Sequence, residues 1–193
     1  VSWSEGGIAQ PPKAVAPPPC ADEATITGIA SALEAGKQSG KRSAFLLGGR
    51  ALREPALLLA ARIAAKTGAK LYADVFPPRL ERGAGLPPVE RIAYLAELAS
   101  VQLSEIDHLI LVDAKAPVSF FAYPEKKSYL VPDHCTVHTL ASFSQDALGS
   151  LEKLCRQVGA GETAPVLQKP ARPGRPRGKL TSEKVCKAIG HLL

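Results

Sequence analysis

Methionine is absent from this 193-residue chain, tryptophan occurs once, and all aromatics together make up only 5% of it. Several chemistries are missing as well. No Gly-x-Gly-x-x-Gly fingerprint, no P-loop and no paired Cys-x-x-Cys occurs, and no Ser/His/Asp set offers itself, so no motif for a dinucleotide, nucleoside-triphosphate or zinc-ribbon site is present. No apolar run approaches the ~20 residues that span a bilayer, and no basic-apolar-small signal pattern opens the chain, so a soluble cytoplasmic protein without a membrane partner is expected. The four cysteines, Cys20, Cys135, Cys155 and Cys186, are widely and irregularly spaced, which suits reduced thiols better than disulfides.

What is present is a chain 46% hydrophobic and 22% charged, enough for one domain that buries roughly 70% of its unfolded surface. Proline and glycine gather at the two ends. The expected organisation is a Pro-rich linker over 1–20, a globular domain over 21–168, and a basic linker with the start of another unit over 169–193. Both ends read as cuts within a longer polypeptide. The net charge of +6 falls largely in the last segment, so a basic folded face is not implied.

Hydrophobic periodicity then places the elements. Asp22 is a plausible N-cap for a helix with Ile26, Ile29, Ala30 and Leu33 on one face, ended by Gly36 to Gly40. Ser43 to Leu47 is a strand. Glu54 and Pro55 open a helix carried by Leu58, Ala61 and Ala65 to a stop at Gly68. Lys70 to Phe76 is a strand, followed by an irregular loop through Pro88. Val89, Ile92, Ala96, Ala99 and Leu103 mark a helix, and His108 to Asp113 is an apolar run as in a strand covered on both faces. Pro117 to Tyr123 and Thr136 to Leu140 are weaker strand candidates, and Ser144 caps a last helix through Leu148, Leu151, Leu154 and Val158. Such alternation predicts a three-layer α/β/α, Rossmann-like fold with a mainly parallel sheet.

The candidate site residues follow from that fold. Gly48 and Gly49 end the first strand, and Arg50 leads toward a helix start whose free N–H groups suit a phosphate; a ligand-free tight turn is the equal alternative. Asp74 ends the second strand, where an acid accepts ribose hydroxyls in dinucleotide folds. Asp113 and Lys115 lie where ligands collect in doubly wound sheets, or form a solvated pair. The loop carrying Arg79, Arg82, Gly83 and Gly85 is long enough to close over a site, or is simply solvated. His134, Cys135 and His138 are metal-ligand types without a fourth partner nearby, so no metal site is expected. Arg172 to Lys179, RPGRPRGK, is similar to an AT-hook using Arg175 and Arg177, but a single short copy before a helix start at Thr181 fits a stiff basic linker better, and a nucleic-acid partner is not expected.

Three stretches, LLGGRALREPALLLAARIAAKTGAKLYADVF, LERGAGLPPVERIAYL and DHLILVDAKAPVSFFAYP, together resemble the central domain of thiamine-diphosphate-dependent enzymes, nearest to acetolactate synthase large subunits and benzoylformate decarboxylase-like proteins. VSWSEGG resembles the exit from the N-terminal pyrimidine-binding domain, and LTSEKVCKAIGHLL the entry to the C-terminal pyrophosphate-binding domain. The resemblance implies a multidomain homodimer or homotetramer that holds thiamine diphosphate and magnesium between its first and third domains. The activating glutamate and the GDG magnesium motif belong to those domains, so the present chain is expected to be non-catalytic alone. Some relatives hold FAD or an adenine nucleotide such as ADP in the central domain, and Gly48 and Gly49 match the glycine turn of that site. Val112 to Pro117 stand where FAD-binding relatives carry a Gly-x-Arg-Phe-Asp-Asp-Arg-like stretch, which argues against FAD. The loop from Arg79 to Pro88 aligns with one that approaches the active site in relatives, which implies a substrate-facing role. A stand-alone nucleotide-binding module and a DNA-associated protein remain the alternatives.

Overall fold

The computed structural model describes residues 13–122 and 124–193. The VSWSEGG stretch, most of the expected N-terminal linker, and Tyr123 lie outside them. Five strands form one wholly parallel sheet: β1 (Ser43–Leu47), β2 (Lys70–Ala73), β3 (Glu90–Arg91), β4 (His108–Val112) and β5 (Thr136–Ala141), in the order β3-β2-β1-β4-β5. Helices α1 (Glu23–Ser39), α2 (Glu54–Thr67) and α4 (Ala147–Gln157) cover one face and α3 (Ala96–Leu103) the other, with α5 (Ser182–Leu192) following in the tail. No helix among the described residues is long and apolar enough to cross a membrane.

Strand alternation divides the core in two. Phe45, Leu47, Ile110 and Val112 point into the layer beneath α1, α2 and α4, whereas Ala44, Leu46, Leu109 and Leu111 point toward α3, as the two-residue period of a pleated strand requires. The caps follow the expected chemistry at the first two helices. Asp22 accepts from the Thr25 N–H at 2.7 Å, and α1 and α2 end on left-handed Gly40 and Gly68.

Several boundaries differ from the sequence reading, each for a local reason. Val89 and Ile92 are spaced like helix neighbours, but they lie on opposite faces of the sheet because Glu90–Arg91 is a short strand paired with Tyr72 and Ala73; the helix begins only at Ala96. Strand β2 stops at Ala73, where the Asp74 carboxylate turns back onto the Val75 N–H at 2.7 Å, and Phe76 is left exposed. The weak strand after Pro117 is reduced to one antiparallel bridge between Val118 and Tyr129. Asp146, not Ser144, caps α4, accepting from the Leu148 N–H, while the Ser144 hydroxyl meets that of Ser142. Leu148 is 37% exposed instead of buried.

The phase of α2 is also shifted by one residue. Ala56, Leu57, Ala60, Ala61 and Ile63 are buried, and Leu58 is half-buried. Three consecutive leucines and an alanine-rich helix leave two apolar stripes, between which periodicity alone cannot choose. Leu57→Ala is therefore expected to cost about 2–5 kcal/mol through lost burial and a residual cavity, and Leu58→Ala under about 1.5 kcal/mol. Urea unfolding of both variants measures the difference, and equal losses would contradict the packing described.

Candidate functional site

Strand order runs one way from β1 through β2 to β3 and then resumes on the other side of β1 with β4 and β5. The direction of winding therefore reverses between the carboxyl ends of β1 and β4, the place where open parallel sheets form a crevice. Gly48, Gly49, Arg50 and Asp113 meet at this point, but the centre of the turn is occupied by the chain itself.

The Gly48 N–H donates to the Val112 carbonyl at 3.0 Å, and a Cβ on Gly48 would lie 2.3 Å from the Asp113 carbonyl oxygen. Glycine is required there because the end of β4 crosses directly against it. Gly49 has φ of +40°, and a Cβ on it would lie 2.4 Å from Asp113 Oδ2. The following single 3-10 turn, Gly49–Leu52, presents the Arg50 N–H, which donates to Asp113 Oδ2 at 2.7 Å. Asp113 is only 5% exposed and adopts φ of +51°, a left-handed conformation tolerated by Asp more than by most residues; its N–H donates to the Ala141 carbonyl. The Arg50 guanidinium lies 3.8 Å from the same carboxylate and donates to the Gln145 carbonyl. The cradle suggested for a phosphate is thus filled by a carboxylate on one charge-assisted hydrogen bond, with the guanidinium as its counter-charge.

A second carboxylate stands at the start of α2. Arg53 at the N-cap supplies no side-chain acceptor, and Glu81 from the long loop takes its place: Oε2 accepts from the Glu54 N–H at 2.6 Å, while Oε1 pairs with Arg79 at 3.1 Å and Arg53 at 3.9 Å. An anion at a helix N-terminus meets orphan N–H groups and the positive end of the helix dipole.

The remaining candidates scatter around this centre. Asp74 is half-buried, its N–H on the Leu47 carbonyl and its side chain spent on Val75. Lys115 forms no pair with Asp113; its ammonium sits 5.6 Å over the Phe143 ring. Arg82 is exposed beside Phe76 and Tyr94. Gly83 and Gly85 take positive φ, and their loop is tied down by Gln168: its backbone exchanges hydrogen bonds with Gly85 and Leu86, and Nε2 lies 3.3 Å from the carbonyls of Gly83, Leu86 and Pro87. Neither Glu81 nor Gln168 is marked by any motif, since their roles come from which backbone the fold brings to them.

His134, Cys135 and His138 do not converge. Burial pushes the Cys135 thiol up to about 11, so it is a protonated thiol donating to the Thr136 carbonyl rather than a thiolate ligand. His138 instead faces His108 across β4 and β5, ring nitrogens 3.2 Å apart. No group of three or more His, Cys, Asp or Glu among the described residues is arranged to hold a metal ion.

No protein-family model matches the chain. Over 196 aligned residues, covering the whole of it, the chain is 43% identical to a protein of Mycobacterium tuberculosis described as "Putative acetolactate synthase large subunit IlvX". The resemblance to acetolactate synthase large subunits therefore extends from end to end. The chain spans 36% of that relative's length.

Two expectations follow from the geometry. Gly49→Ala should destabilise the fold by about 1–3 kcal/mol, because it combines positive φ with a clash on Asp113. Gly28→Ala, in the open middle of α1 with nothing within 4 Å of its Cβ, should instead stabilise by about 0.5–1 kcal/mol. Thermal or urea unfolding reads both signs, and a neutral Gly49→Ala would contradict the filled turn. Burial, and then His108, hold the His138 pKa below its ordinary value of 6.5. The unfolded chain then binds a proton that the folded chain resists, so stability is expected to fall as pH drops below about 6.5, above the carboxylate range. His138→Leu should flatten that slope between about pH 6.5 and 5, measured by urea unfolding at fixed ionic strength; an unchanged slope would remove His138 as its source.

Proposed function

We propose that this chain is the central, non-catalytic α/β/α domain of a thiamine-diphosphate-dependent enzyme of acetolactate synthase type. In the longer polypeptide it would stand between pyrimidine-binding and pyrophosphate-binding domains, and the whole would assemble as a homodimer or homotetramer. The reaction proposed for that whole is decarboxylation or carboligation of a 2-keto acid. End-to-end identity of 43% to an acetolactate synthase-like relative of greater length is the observation that carries the reading.

The residues of this chain do not fit the cofactors' diphosphates. A magnesium diphosphate needs uncommitted carboxylates and amides, whereas Asp113 and Glu81 are already spent on the Arg50 and Glu54 N–H groups. FAD or ADP at the glycine turn would have to bring phosphate into the place of the buried Asp113 carboxylate, against its charge. The nucleotide-binding module is disfavoured on the same ground. The domain's role is then architectural: a rigid parallel sheet that carries the loop from Arg79 to Pro88 toward a site built by other domains. Arg172 to Lys179 serve as linker, with the Pro173 carbonyl against His191 of α5, and not as a DNA reader.

The isolated 193-residue chain should show no thiamine-diphosphate-dependent release of carbon dioxide from pyruvate or benzoylformate, while the longer polypeptide should turn over a 2-keto acid only with thiamine diphosphate and magnesium. Calorimetric titration of the chain with FAD and ADP should give no saturable heat. Turnover by the isolated chain, or stoichiometric nucleotide binding lost in Gly49→Val, would overturn this reading.

A further inference from the structure

Phenylalanine ranks among the most buried residue types, yet here only Phe45 of the five phenylalanines lies in the core. Phe76, Phe120, Phe121 and Phe143 are 60%, 63%, 51% and 55% exposed, and Tyr94 is 45% exposed. Phe76, Tyr94 and Phe143 each follow the end of a strand within three residues, β2, β3 and β5 respectively. Because the sheet is parallel, they fall on the same edge as the switch point. Aromatic residues are scarce in this chain, and this edge concentrates them.

Phe76, Tyr94 and Phe120 form a closed triangle with centroids 5.6–5.7 Å apart, and Phe121 stacks edge-on to Phe120 at 4.9 Å. The rings fill the triangle's own centre, so it is a knob that presents apolar surface, not a cage that admits a ligand. Leu95, the N-cap of α3, lines a depression with Phe120 and Phe121 and is 56% exposed; Leu98 within α3 is 55% exposed. Exposed aromatic anchors with an apolar surround are the composition of a protein interface centre.

Among the described residues, the ends of the chain are engaged elsewhere. The Pro19 carbonyl is held by the Asp146 N–H, Gln168 lies on the loop of Gly83 to Pro87, and α5 returns to Pro173. Most of the length of the 43% identical relative lies outside the matched region, which supplies protein surface to cover the knob. Charge narrows the partner further. Exposed Arg82 and Arg91 border a depression of about 410 Å³ alongside Phe76 and Tyr94, whereas neighbouring Glu90 and Glu97 are engaged by Gln102 and Lys126.

We infer that Phe76, Tyr94 and Phe120 anchor this domain onto another folded part of the same longer polypeptide, an apolar surface with carboxylates facing Arg82 and Arg91. The inference rests on the reading of the chain as one domain of a multidomain enzyme. Hydroxyl-radical footprinting tests it, with the 193-residue chain and the longer polypeptide labelled side by side. Modification of Phe76, Tyr94 and Phe120 should be at least about fivefold slower in the longer polypeptide, as interface-core packing requires, with Phe45 protected equally in both as the folding control. Arg82→Glu with Arg91→Glu should return much of the labelling at Phe120 while Phe45 stays protected. Equal labelling of the three rings in both proteins would overturn the inference, as would protection in the short chain that grows with its concentration, which would assign the knob to contacts between copies. Turnover with thiamine diphosphate is scored separately: protection without turnover upholds the docking surface and sinks the enzyme reading, whereas turnover without protection does the reverse.

Discussion

The hydrogen bond from the Arg50 N–H to the Asp113 carboxylate holds together the two strand ends on which the architecture turns. Parallel strands need long crossovers, and the reversal of winding between β1 and β4 leaves a gap at their carboxyl ends that hydrogen bonds of the ladder do not close. Here β4 is followed by a residue in the left-handed region, Asp113, whose side chain folds back under the Gly48–Gly49 turn. Two glycines are needed because backbone passes against one and a carboxylate against the other. The strained Asp113 conformation is over-determined by its backbone bond to Ala141, its carboxylate bond to Arg50 and its burial.

Filling a phosphate-type cradle with protein carboxylate changes what the fold can do. In a sheet of this topology the orphan N–H groups at the switch point are the usual purchase for anionic ligands. Asp113 at the first turn and Glu81 at the start of α2 each accept from one such group, the Arg50 and the Glu54 N–H. The same edge carries an apolar knob and a loop latched by Gln168, features that suit contact with protein more than capture of a small anion.

Much of the fold was legible in the sequence because the signals were local. Asp22, Pro55, Gly40 and Gly68 mark helix ends by cap chemistry, and SAFLL and HLILV can only be strands covered on both faces. Legibility failed where tertiary geometry chose between equal local patterns: the phase of α2 among three leucines, the strand at Glu90–Arg91 inside a helical-looking spacing, and the α4 cap among Ser144 and Asp146. At the candidate site the glycines with Arg50, and Asp113 with Lys115, were each read at a strand end, but not that Asp113 would reach across and occupy the glycine turn, since a carboxylate that fills a cradle and one that borders it have the same sequence. Glu81, Gln168 and the pairing of His108 with His138 were invisible, as their partners lie 27, 82 and 30 residues away.

The most direct test of the account is a crystal structure of the longer polypeptide grown with thiamine diphosphate, magnesium and excess FAD. The account predicts Asp113 Oδ2 still on the Arg50 N–H, no phosphate at Gly48 and Gly49, and the diphosphate of the thiamine cofactor bound outside this domain. Asp113 swung out of the turn with a nucleotide phosphate in its place would contradict it.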